Sequence, residues 1–101
     1  MGMTPKPKIT VQVKIAGPID GKTITFSGTV DLRPGDSIKK LLKKADALPE
    51  TKSHKPFRKA FRQGVRPVIL LNGERIDYPE EKDRALKNGD EVSVIVAIAG
   101  G

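Results

Sequence analysis

Apolar and polar positions alternate from the start of the chain. Ile9, Val11, Val13 and Ile15 are interleaved with Thr10, Gln12 and Lys14, the period of two that gives a strand one dry face and one wet face. The stretch 17–22, with Asp20-Gly21 inside it, reads as a turn-rich connection. Beyond it Ile24, Phe26 and Val30 share one parity, and Thr23, Thr25, Ser27 and Thr29 the other. Residues 9–31 are therefore expected to form a β-hairpin. Gly28 interrupts its inward row and predicts a bulge or a close backbone approach.

The period then changes. Pro34-Gly35 makes a turn, and Asp36 or Ser37 can cap the helix that follows. Ile38, Leu41, Leu42, Ala45 and Leu48 fall on one helical stripe, with Lys39, Lys40, Lys43 and Lys44 opposite. A helix placed directly after a hairpin should lay that stripe on the hairpin's dry face. Pro49 ends the pattern and 50–55 reads as loop. Pro56, Phe57, Ala60 and Phe61 predict a short second helix over 56–63, with Gly64 able to cap it.

Val68 to Leu71 predict a central strand that is apolar on both faces. Asn72-Gly73 is a strong hairpin turn leading into Arg75-Ile76-Asp77. Leu86 reads as buried. Asn88-Gly89-Asp90 turns into a last strand over 91–97, with Val92, Val94 and Val96 facing inward. The order is hairpin, helix, strand, short strand, strand. It implies an α+β domain: a mixed four- to five-stranded sheet, one main helix across it, and a short extra helix in an insertion at about 49–66.

Composition narrows the class. A chain of 101 residues supports one domain with a small core. Residues 1–7 are expected to be a disordered leader, 8–98 the domain and 99–101 a flexible tail. There is no cysteine and only one histidine, His54, so disulfides, a cysteine nucleophile and a conventional zinc site are excluded. No apolar run is long enough to span a membrane, and the expected location is the cytoplasm.

Charge is unevenly spread. Residues 33–66 hold eleven Lys and Arg against Asp36, Asp46 and Glu50, a net of +8 within a total of +7. This is either a solvated helix face or an electrostatic footprint for an acidic partner or RNA. Tyr78 and three phenylalanines are the only aromatics. Stacking platforms for bases are therefore scarce, and nucleic acid is not the expected partner.

The sequence closes on Ile98-Ala99-Gly100-Gly101. Glycine adds no packing and frays a terminus. A pair of glycines does supply a thin thread that could carry a carboxylate into a narrow channel, although an ordinary frayed tail would look the same. Gly89-Asp90-Glu91-Val92, the apolar strand after it and this Gly-Gly ending closely resemble the C-terminus of ThiS/MoaD-type sulfur carriers. Leu71-Asn72-Gly73-Glu74 resembles their central strand and turn, and the last strand and tail also resemble those of ubiquitin. The resemblance is loose over the whole fold and closer over 68–101. The long first hairpin, the insertion at 49–66 and the lack of a proline-rich tail depart from it.

The resemblance implies a ubiquitin-like β-grasp fold and a carrier rather than an enzyme. In such carriers a partner, a ThiF/MoeB-like adenylyltransferase using ATP and Mg²⁺, joins the terminal carboxylate to AMP. Sulfur from a persulfide donor then displaces AMP, leaving a thiocarboxylate that a sulfur-accepting synthase consumes. On this reading Gly101 carries the transferred atom, and Gly100, Ala99 and Ile98 are the segment a partner recognises. No cofactor is expected on the chain itself, and the free protein is expected to be a monomer.

If Val92, Val94 and Val96 face the helix, Ser93, Ile95 and Ala97 point to the open face of the sheet. The resemblance to ubiquitin places Ile95 at a partner-binding position, with Leu70 in the neighbouring strand as its companion. Alternatively, the insertion folds back and buries both. Lys39, Lys40, Lys43 and Lys44 are candidates for steering an acidic partner. Three readings stay open at this point: a sulfur carrier for cofactor or tRNA biosynthesis, a ubiquitin-like modifier conjugated through Gly101, and a non-covalent β-grasp module binding RNA or an acidic protein.

Overall fold

The computed structural model describes residues 7–97. The elements are β1 (Ile9–Ile19), β2 (Lys22–Leu32), α1 (Ile38–Ala45), α2 (Pro56–Ala60), β3 (Val68–Leu71), β4 (Glu74–Ile76) and β5 (Glu91–Ile95). They build one five-stranded sheet in the order β2-β1-β5-β3-β4. β5 runs parallel to β1 and antiparallel to β3, and both hairpins are antiparallel. β5 therefore takes the middle of the sheet, the place the sequence suggested for β3.

The first hairpin is longer than its composition suggests. Gly17, Pro18 and Ile19 belong to β1, pairing with Ile24, Thr23 and Lys22, and only Asp20-Gly21 turns the chain. Pro18 is tolerated because the β5 ladder on that side stops at Ala16, so no partner needs its missing N–H. The register is unbroken at Gly28, opposite Val13, so there is no bulge. The close-approach alternative holds instead: a Cβ there would lie 2.8 Å from the Phe26 ring.

The inward rows of β1, β3 and β5 (Val11, Val13, Ile15, Ile69, Val92 and Val94) meet Ile38, Leu41 and Ala45 of α1 in one core. At about 25 cal/mol per Å² of apolar surface removed from water, this burial is the main stabilising term. Ser37 caps α1, its Oγ accepting from the Lys40 N–H at 3.2 Å. The amides of Ile38 and Lys39 donate to the carbonyls of Arg84 and Lys82, so the 80s loop supplies acceptors for the first helical turn.

Both helices are shorter than their apolar patterns. α1 stops at Ala45, leaving Leu48 half-buried beyond it. There Thr51, 2% exposed, donates its hydroxyl to the Ala45 carbonyl. α2 covers five residues and is capped at Phe61, so Gly64 plays no part in its end. The Asp46 carboxylate accepts from the amides of Phe57 at 3.0 Å and Arg58 at 2.9 Å. One residue thus closes α1 and caps α2. Phe57 meets Phe26 edge-on, with ring centroids 6.4 Å apart. The insertion therefore packs on the helix side of the sheet.

Candidate functional site

The strand that leads to the end of the chain is clamped along its length. Register at the start of β5 is set by side chains that also carry the sequence resemblance. Asn72 and Gly73 both take positive φ, as a two-residue hairpin requires. The Asn72 amide donates to Asp90 at 2.9 Å and accepts from the Glu91 N–H at 2.8 Å. The other Asp90 oxygen accepts from the Lys87 N–H, and Asn88 accepts from Thr10. These polar groups lie at the head of β5 and fix where it starts. They position the strand rather than act chemically.

At the other end Val96 is 4% exposed and donates its N–H to the Ala16 carbonyl at 2.8 Å. The ladder thus runs one residue past Ile95, while Ala97 is exposed. The strand expected over 91–97 is Glu91–Ile95, with Val96 held beyond it. Gly17, read from sequence as part of a turn, makes this arrangement possible. Its φ is +135°, and a Cβ there would collide with the Val96 carbonyl and lie 2.7 Å from the Val96 Cβ. Ile98, Ala99, Gly100 and Gly101 lie outside the described residues.

Ile95 stands on the open face, 41% exposed, the one exposed large hydrophobic side chain among the described residues. Its direct partners across the strands are Val68 in β3 and Ala16 in β1. Leu70, the companion expected from sequence, is half-buried on the same face. It pairs with Ser93, so it lies diagonal to Ile95. Val68 is the neighbour that sequence reasoning missed: it shares the outward parity of Leu70, and only the register of β3 against β5 shows which of the two stands opposite Ile95. The insertion, being on the helix side, does not cover Ile95. Lys14 and Glu91 form an ion pair of 3.3 Å on the same face.

The lysines lie elsewhere. Lys39, Lys40 and Lys43 are exposed on α1, while Lys44 is half-buried and reaches the Asp31 carbonyl at 3.4 Å. α1 covers the inward face of the sheet and Ile95 points away from it, so the structure separates these two groups of expected partner residues. They form two surfaces rather than one. Among the described residues no helix is long and apolar enough to cross a membrane.

Comparison with known proteins agrees with this geometry. The solution structure of the Haloferax volcanii HVO 2177 protein matches over 100% of both chains, with a TM-score of 0.62 and 17% identity. A putative molybdopterin converting factor, subunit 1, from Pyrococcus furiosus matches over 89% of this chain and 99% of its own, with a TM-score of 0.56 and 20% identity. At these identities the likeness speaks for the shared β-grasp fold. No match was found among curated protein sequences. A sequence profile of the ThiS family, however, matches residues 19–101, from the end of β1 through the last strand to the terminal glycines. The chain belongs to the ThiS family, whose members serve as sulfur carriers rather than as catalysts.

Proposed function

We propose that Gly101 is the carrier residue: its carboxylate is adenylated by a partner enzyme and then converted to a thiocarboxylate that donates sulfur in cofactor or tRNA biosynthesis. A carboxylate is a poor acyl donor because its oxygen is a poor leaving group. Attack of the Gly101 carboxylate oxygen on the α-phosphate of ATP releases pyrophosphate and installs AMP as the leaving group. The terminal sulfur of a persulfide donor then displaces AMP at the acyl carbon, giving an acyl disulfide. A thiol reductant cleaves its S–S bond, which frees the thiocarboxylate and leaves the donor sulfur in a disulfide. The nucleotide, Mg²⁺ and catalytic groups belong to the adenylyltransferase, and a synthase consumes the sulfur. The chain contributes the carboxylate, the side-chain-free segment behind it and the surface that orients both, and it works in the cytoplasm.

One observation carries this reading. A strand clamped through Val96, in a member of a sulfur-carrier family, continues in sequence into Ile98-Ala99-Gly100-Gly101. A fixed strand ahead of a thread free of bulky side chains suits delivery into a narrow active site, where small displacements of reacting atoms are costly. The test is intact-mass measurement after incubation with a ThiF/MoeB-like enzyme, ATP, a persulfide donor and a thiol reductant. The expected result is a gain equal to the exchange of one oxygen for sulfur, located on Gly101 by fragmentation. Conjugates to lysines on a denaturing gel would instead identify a modifier. An unchanged mass and no conjugates would identify a non-covalent binding module.

A further inference from the structure

The cations of the insertion and α1 border a groove of about 680 Å³ on the helix side of the molecule. Its floor is apolar, formed by Leu42, Phe57, Phe61 and Tyr78. Lys39 and Lys43, one helical turn apart on α1, form one wall. Lys52, Lys55 and Arg58 stand on the other side. All five cations are exposed, and among the described residues none has an acidic group within ion-pair distance. Asp46 is the one carboxylate lining the groove, and both its oxygens are engaged by the Phe57 and Arg58 amides. An apolar floor between two rows of cations that make no ion pair is therefore a built feature of this side.

The aromatic geometry selects the kind of ligand. Phe57 is 1% exposed, and Phe61 and Tyr78 lie against each other with ring centroids 4.8 Å apart. Phe57 is closed off in the core, and Phe61 and Tyr78 each spend one face on the other. Little ring face is left for base stacking, the usual source of affinity for single-stranded nucleic acid. The half-buried Phe61 and Tyr78 instead present an apolar surface that suits aliphatic side chains.

We infer that this groove binds an acidic amphipathic segment of a protein partner, its apolar stripe on the Leu42–Phe61–Tyr78 floor and carboxylates along both edges meeting Lys39 and Lys43 on one side and Lys52, Lys55 and Arg58 on the other. The groove lies across the sheet from Ile95, so a partner seated here leaves the open face and the end of β5 free. The chain can then be held by one protein while another works on its C-terminus. This inference does not depend on the carrier reading.

The test is titration of isotope-labelled protein with a designed helical peptide of about four turns, leucines along one stripe and glutamates on both flanks. The expected result is saturable binding that weakens with salt, with the largest shifts at Leu42, Ala47 and Tyr78. Charge reversal of either wall (Lys39→Glu with Lys43→Glu, or Lys52→Glu with Arg58→Glu) should weaken binding about tenfold or more. Lys22→Glu, at the tip of the first hairpin, should change it little. All the substituted side chains are exposed, and an unchanged thermal midpoint confirms that the variants fold. Absence of saturable binding, shifts confined to the Ile95 face, or equally tight binding of a single-stranded oligoribonucleotide overturns the assignment. Thiocarboxylate formation on the peptide-free protein should be unaltered in the variant carrying Lys52→Glu and Arg58→Glu, which lie outside the residues expected to steer the adenylyltransferase, so the two proposals fail separately.

Discussion

Gly17 and Val96 are in such close contact that no side chain fits between them. A Cβ on Gly17 would overlap the Val96 carbonyl, while the Val96 N–H is held by Ala16, the residue beside Gly17. The end of the first strand thus sets the path of the last one where it leaves the sheet. Gly17, far in sequence from the terminal glycines, thus shapes the end of the strand that precedes them.

Gly17→Ala should therefore both destabilise the protein and disturb delivery of the C-terminus. Overpacking costs about 1–3 kcal/mol, and the φ of +135° disfavours any side chain in addition. Chemical denaturation should show the loss, and hydrogen exchange at the Val96 amide should accelerate. Adenylation should slow more than the unfolded fraction accounts for. Wild-type stability and exchange would show that the end of β5 moves aside at little cost.

Gly101→Val separates chemistry from folding. Position 101 lies five residues beyond Val96, the last core residue among the described ones, and the thermal midpoint should stay within error of the wild type. Adenylation should be lost, because a branched side chain next to the reacting carboxylate displaces it from the geometry the partner requires. Adenylation of the variant at the normal rate would overturn the carrier assignment.

Much of this was legible in the sequence where local chemistry and tertiary structure agree. The alternation from Ile9 to Ile15, the stripe Ile38–Leu41–Leu42–Ala45 and the turn at Asn72-Gly73 all sit where pattern places them. The failures share one cause, a long-range partner overriding a local signal. Gly17-Pro18 looks like a turn but is strand, because Ile24 and Thr23 of β2 pair with it, and the proline is tolerated because the β5 ladder stops at Ala16. The stripe runs on to Leu48, yet α1 ends at Ala45, where Thr51 takes the Ala45 carbonyl and Asp46 turns its carboxylate to the next helix. That Val68 and not Leu70 stands opposite Ile95 becomes visible only once the register with β5 is known.

Ile95→Asp tests the open face. The side chain is 41% exposed and flanked by Val68 and Ala16, an apolar group at the surface at the end of β5. The fold should persist, with circular dichroism and midpoint near wild type. Affinity for the adenylyltransferase should fall by about 1–3 kcal/mol, as for an interface anchor. Full affinity would place the docking surface elsewhere.

Asp46→Ala should weaken the junction of the two helices by about 1 kcal/mol, the usual worth of a cap. Burial raises the Asp46 pKa, and the amides of Arg58 and Phe57 together with Lys55 and Arg58 offset this only in part. A raised carboxyl binds protons more readily in the folded chain than in the unfolded one. Its contribution is therefore fully present below the unfolded value of about 3.9 and is lost as pH rises through the folded value. The stability difference between wild type and Asp46→Asn should accordingly shift against the wild type as pH is raised through that window. A difference independent of pH would show that the hydrogen bonds balance the burial.

Tyr78 allows the groove to be read optically, because the chain has one tyrosine and no tryptophan. Burial, with a smaller contribution from Asp83, pushes its phenol above the ordinary value. The phenolate absorbance of the native protein should therefore titrate above about pH 10, and return to that value in denaturant. The folded state again holds its proton more tightly than the unfolded state, so this residue's share of stability is present below pH 10 and lost as pH rises through the folded midpoint. Asp83→Asn should lower the native midpoint by only part of the shift, since burial is the larger cause. Peptide bound on the groove floor should raise it further, by desolvating the ring and bringing carboxylates near it. A native midpoint at or below that of the denatured chain would mean that the ring is solvated, and that the floor formed by Phe61 and Tyr78 is open to water.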